Sequence, residues 1–126
     1  MLAANLLDST PYSLKYGKGV SVKDYVEDLQ EGNVKHVSKS SNYTTNGEVI
    51  IGVDTSSSAV TITLATADCK AGKVVIINDE GGNAGTNNIT VATEGSETID
   101  GSATATISSN NGTLRLYSDG SNWFSW

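Results

Sequence analysis

At 126 residues and a formal net charge of −6, the chain has room for one domain with an arm rather than several domains. Apolar residues make up 37% and charged residues 17%, both low for a globular chain, and Ser, Thr, Asn and Gly fill the difference. Low charge with many β-branched residues excludes ordinary disorder, and points to a thin all-β domain whose core is completed by neighbouring subunits.

Charge is unevenly spread. Residues 1–40 carry five Lys and five acids, whereas residues 41–126 carry three basic and nine acidic groups. An acidic β-domain repels phosphate backbones, so nucleic acid is not an expected partner. Cys69 is the only cysteine, which rules out an intrachain disulfide and a cysteine metal cluster. No run approaches the ~18 apolar residues of a membrane helix, so no membrane insertion is expected. Met1-Leu2-Ala3-Ala4-Asn5-Leu6-Leu7-Asp8 lacks the basic start and long apolar core of a signal peptide, and export by that route is not expected.

Residues 1–33 read as an attachment arm with one short helix. Leu2, Leu6 and Leu7 fit a single helical turn, which Pro11, Gly17 and Gly19 then interrupt. An arm too short for its own core docks on something else or frays, and its apolar side chains favour docking. Ser21 with Asp24 makes a capping-box-like helix start. Val22, Tyr25, Val26 and Leu29 follow on one face, and Gly32-Asn33 ends the helix. That face packs on the β-domain, on a threefold axis with its own copies or in a socket of a partner. Leu6, Leu7, Tyr12, Leu14, Tyr25 and Leu29 are the expected attachment residues.

From residue 34 the helical period gives way to β-branched runs bounded by Gly, Asn, Asp and Ser, which predict strands. The expected strands cover residues 34–38, 48–53, 59–64, 73–79, 88–93, 103–108 and 113–117, with a last one ending at Trp126. Residues 65–72 read as a longer connection with room for a helical turn. Asp119-Gly120 between two apolar runs is a hairpin signal, because both residues tolerate positive φ. The expected fold class is mainly β: a small jelly-roll-like or sandwich domain of about eight strands spanning residues 34–126. No repeat at a fixed period is visible, which argues against a solenoid.

Candidate chemistry is sparse. His36, the one histidine, sits beside Val37 in a strand and reads as a surface residue. Cys69 lies between Asp68 and Lys70 without an evident base and reads as filler. Asp79-Glu80-Gly81-Gly82-Asn83 and Asp100-Gly101 place carboxylates in Gly-rich loops. Calcium takes such oxygens, but the spacing departs from the twelve-residue calcium loop, and these residues are ordinary turn formers. No cofactor or metal is expected. Tyr117, Trp123, Phe124 and Trp126 form an aromatic set that suits a sugar platform, a core cap or a subunit interface. Aromatics are enriched at interfaces, and the subunit interface is the reading adopted.

Four stretches carry a resemblance: residues 72–79, residues 82–91, Glu97-Thr98-Ile99-Asp100-Gly101, and Leu116-Tyr117-Ser118-Asp119-Gly120-Ser121-Asn122-Trp123-Phe124. Together they resemble a β-domain that recurs in tail fibres, tailspikes and related appendages of tailed phages. The resemblance covers roughly residues 59–126. In addition, Val20-Ser21-Val22-Lys23-Asp24-Tyr25 looks like the junction after the anchoring region of many tailspikes, without the Gly-rich sequence that normally follows. The resemblance supplies no catalytic residues. It implies a trimeric, non-enzymatic structural module on the surface of a virion, anchored by its N-terminal arm. Other virion proteins of tail or capsid are the implied partners. A capsid decoration protein is the alternative, and a carbohydrate-binding or carbohydrate-cleaving fragment acting on a host surface glycan is the alternative of another class.

Overall fold

The computed structural model describes residues 34–126. The arm, the helix and the attachment set Leu6, Leu7, Tyr12, Leu14, Tyr25 and Leu29 lie outside the described residues.

Nine strands form: β1 (His36–Lys39), β2 (Tyr43–Thr44), β3 (Ile50–Val53), β4 (Val60–Leu64), β5 (Val74–Asp79), β6 (Ile89–Thr93), β7 (Thr104–Ile107), β8 (Thr113–Ser118) and β9 (Trp123–Ser125). Eight fall on the expected β-branched runs. The two-residue β2 is an addition to them, in a stretch between the first two expected strands for which no element is expected. A 3₁₀ turn over Thr66–Asp68 occupies the connection expected to hold a helical turn.

The strands build two sheets, in the orders β1-β3-β5-β8-β9 and β2-β4-β6-β7. Alternation sorts each strand into an inward and an outward face. Ile51, Val53, Val75, Ile77, Leu116 and Trp123 of the first sheet share one core with Val60, Ile62, Leu64, Ile89, Val91 and Ile107 of the second. The architecture is therefore a sandwich. It is not a jelly roll, since the pairings β1–β3, β2–β4, β3–β5 and β4–β6 are all parallel.

The parallel pairings correct the sequence reading on one point. From β1 to β6 the chain alternates between the sheets, laying each strand beside the one two before it. That path is a short two-sheet coil. Its turns differ in length: His36 pairs with Ile50 and Ile50 with Ile76, fourteen and then twenty-six residues on. Such unequal turns leave no fixed period to find. The antiparallel strands β7, β8 and β9 then end the coil.

The expected hairpin is present. β8 and β9 pair with Tyr117 opposite Phe124. The Asp119 carboxylate accepts from the N–H groups of Ser121 and Asn122 at 2.8 and 2.9 Å, and Gly120 takes φ +101°. These local hydrogen bonds hold the Asp119 carboxyl below its ordinary value.

Candidate functional site

The outward faces of the two sheets differ in chemistry. On the four-stranded sheet, the register places Thr61, Thr90 and Thr106 in one row and Thr44, Thr63, Ala92 and Thr104 in the next. Threonine is the polar β-branched residue, and a face built of it suits water. On the five-stranded sheet, one outward row runs through Ile50, Ile76 and Arg115, and another through Val74, Tyr117 and Phe124. Ile50, Val74, Ile76 and Phe124 are only half-buried, while Tyr117 and Trp126 are 43% and 54% exposed.

The aromatic residues of this second face touch one another. Tyr117 lies 5.6 Å from Phe124 and 6.0 Å from Trp126 between ring centroids, within the range of favourable tilted pairs. Arg115 donates from Nε and Nη2 to the backbone oxygen of Trp126 at 3.1 and 2.7 Å. Its guanidinium also lies 5.5 Å from the Trp126 ring centroid, a cation–π distance. The last residue is thus held by Arg115 while its indole remains open.

Of the predicted interface set, Tyr117, Phe124 and Trp126 come together here and Trp123 does not. Trp123 is completely buried in the core, because neighbours in β9 point to opposite faces and Phe124 points out. Its indole Nε1 finds no hydrogen-bond partner among the described residues. Sequence reasoning groups the four by composition, and only the register separates them.

Elsewhere, the predicted candidates hold the fold together. His36 Nε2 stands 2.9 Å from Glu80 Oε2, and Ser38 Oγ donates to Glu80 Oε1 at 3.3 Å. Both contacts end on the one carboxylate, so Ser38 and His36 do not form a nucleophile–base pair. The groove beside them has a volume of about 200 Å³ and is lined by Ser38, Lys39, Ser40, Gly52, Asp54 and Glu80. Cys69 is half-buried against the core with Sγ 3.2 Å from Ser118 Oγ.

Asp79 does more than a plain turn residue. It is buried, and its carboxylate accepts from the N–H groups of Gly82, Ala84 and Asn111 at 3.0, 2.9 and 2.9 Å. Burial pushes its carboxyl up, but these N–H groups outweigh burial and hold it below the ordinary value. In the loop after β5, the Asp79 carboxylate thus ties backbone N–H groups and the Glu80 carboxylate ties the side chains of His36 and Ser38. Asp100 similarly accepts from the N–H of Ser125 at 3.0 Å and from its hydroxyl; the hydroxyl first and the N–H second lower its carboxyl. Among the described residues no group of three or more His, Cys, Asp and Glu could hold a metal.

One buried carboxylate escapes the sequence reading. Glu48 is 1% exposed and accepts from the Tyr43 hydroxyl and, at 2.7 Å, from the Asn46 N–H. Burial pushes the Glu48 carboxyl up, yet Tyr43, Asn46 and the charge of Lys35 bring it below its ordinary value. Tyr43 is in turn pushed up to about 12, first by its bond to Glu48, then by burial and by the charges of Glu48 and Asp68. Nothing in the local pattern marks Glu48 as buried, because its partner lies on the short, unexpected β2.

A scan against protein-family models finds no match, and a search of curated proteins finds none.

Proposed function

We propose that this chain is a non-enzymatic structural protein of a tailed-phage virion, a small fibre or appendage that assembles as a homotrimer. Residues 1–33 attach it to other virion proteins, and the aromatic face of the five-stranded sheet packs subunit against subunit. The contrast between the two outward faces carries this reading. One sandwich presents threonine on one side and Ile50, Val74, Ile76, Tyr117, Phe124 and Trp126 on the other. A contiguous apolar surface on a small domain marks an interaction site. The resemblance of residues 59–126 to phage appendage domains supports the virion setting, and the use of carboxylates as loop ties supports a structural role.

Sedimentation of the full chain tests the assembly. A concentration-dependent trimer, weakened in Trp126→Ala, is the expected result. A well-folded monomer at micromolar concentration overturns it. Deleting residues 1–32 should leave a β-domain that no longer joins the particle, and normal incorporation would move the attachment site to the β-domain. Incubation with host surface glycans separates the other class of reading, since new reducing ends or unsaturated sugars would mark an enzyme.

A further inference from the structure

The sandwich has four sheet edges among the described residues, and three are blunted. β1 is short and carries His36 and Lys39, with Lys35 just before it; β2 has two residues. β9 is covered by its own chain: Trp123 donates to Thr98 O at 2.8 Å, Asp100 donates to Trp123 O at 2.9 Å, and Asp100 Oδ1 takes the Ser125 N–H. Short strands, lysines and covering loops are the ordinary protections of an edge. β7 is as short as β1, with four residues, but has no lysine and no covering backbone among the described residues. Residues 102–108 read Ser-Ala-Thr-Ala-Thr-Ile-Ser, with no charge and no proline.

The hydrogen-bonding direction of β7 follows from its neighbours. The Val60 N–H donates to Asn88 O and the Glu94 N–H to Leu64 O, so the even-numbered residues of this stretch face β4. Ile89 and Val91 therefore face β7, where they pair with Ile107 and Ala105. By alternation, Thr104 and Thr106 direct their N–H and C=O groups away from the sheet. No backbone partner for these groups lies among the described residues.

We infer that β7 is a self-pairing edge, which takes the β7 of a second copy antiparallel about a twofold axis at Ala105. The sequence around that centre matches itself. Ser102 meets Ser108, Ala103 meets Ile107 and Thr104 meets Thr106, so outward residues face outward residues and inward face inward. Thr–Thr cross-strand pairs are favourable. The contact is isologous and closed, and it joins two four-stranded sheets into one with a continuous threonine face. The uncharged, self-matching sequence decides the occupant, because a copy of this acidic chain meets no like charge along residues 102–108. An open groove of about 200 Å³ beside Ile107 and Leu114 lies where the second copy's Ala103 arrives. This contact is on the opposite sheet from the aromatic face and does not depend on it.

The test uses the full chain carrying Cys69→Ser and Ala105→Cys. Residues paired directly across a non-hydrogen-bonded site lie ~4.5 Å apart between Cα atoms, within the ~4.4–6.8 Å a disulfide spans. Mild oxidation should give a covalent dimer. In the Cys69→Ser background without Ala105→Cys it should give none. In the unmodified chain, exchange protection of the Thr104 and Thr106 amides should rise with protomer concentration. Thr106→Pro removes only an outward N–H, leaves the β6 ladder intact, and should abolish the concentration dependence of protection at Thr104; Thr106→Lys should do the same by setting two lysines diagonally across the seam. Absence of the disulfide dimer, or protection at Thr104 and Thr106 that ignores concentration, overturns the inference. Trp126→Ala keeps the failures apart, since it should remove any trimer while leaving the cross-link formed through Ala105→Cys intact.

Discussion

Glu80 lies where the side chain of residue 52 would be. A Cβ built on Gly52 would come 1.8 Å from Glu80 Cδ, so the absent side chain lets the carboxylate lie across β3 and reach His36 and Ser38. The first strand is tied to the loop after β5 by this one group.

Gly52→Ala should therefore displace Glu80 and release His36 at little loss. The obstruction is the end of a flexible side chain, and a side-chain hydrogen bond contributes only ~0.5–1.5 kcal/mol. Gly81→Ala should be the more damaging change, because its Cβ would meet the backbone of Asp54 at 2.9 Å. Urea denaturation of the two variants gives the order, and equal midpoints would show that the loop yields as easily as the side chain.

Asp79→Ala should lower stability by at least ~1–3 kcal/mol, the cost of a buried N–H left without an acceptor, because the Ala84 N–H is buried and those of Gly82 and Asn111, only partly buried, are released with it. Asp79→Asn keeps one acceptor oxygen and should fall between Asp79→Ala and the parent. The same group predicts acid sensitivity. Its folded value lies below the ordinary one, so its stabilisation is present above the unfolded carboxylate value and is lost as pH falls through the folded one. Denaturation followed downward from about pH 5 checks this, and Asp79→Asn should flatten that part of the profile.

Tyr43 should contribute to stability on the alkaline side. Its value rises from 10.0 to about 12, so the folded state keeps the proton more tightly than the unfolded one. That stabilisation is complete below pH 10 and disappears as pH rises to about 12. Tyr43→Phe should be less stable at neutral pH, since Glu48 loses its donor, but should show a shallower decline across the alkaline range. A parallel decline in both proteins would assign the alkaline loss to other groups.

Trp123 and Trp126 should respond in opposite ways to the same change. Trp123→Ala empties a core position and should cost ~3–5 kcal/mol, a large part of a typical domain's stability. Trp126→Ala should leave the folded β-domain nearly unchanged at low concentration and weaken assembly. Melting followed at two protomer concentrations distinguishes them, because only an interface residue alters the concentration dependence.

Much of the β-domain is legible in the residues themselves. β-branched runs such as Val74-Val75-Ile76-Ile77 and Ala103-Thr104-Ala105-Thr106-Ile107 mark strands because χ1 stiffness and alternation act locally. Asp119-Gly120 marks its hairpin for the same reason. The identity of eight of the nine described strands and that turn were determined by the sequence alone, whereas β2 was not. Which strands pair, and in which direction, was decided by packing across the core. His36 meets Ile50 and Ile50 meets Ile76 through connections of unequal length, so no period survives along the chain. The division of Trp123 from Phe124, the burial of Glu48 and the three bonds at Asp79 likewise arise between distant segments. A local pattern records what a residue prefers, whereas register and burial depend on what the rest of the chain places opposite it.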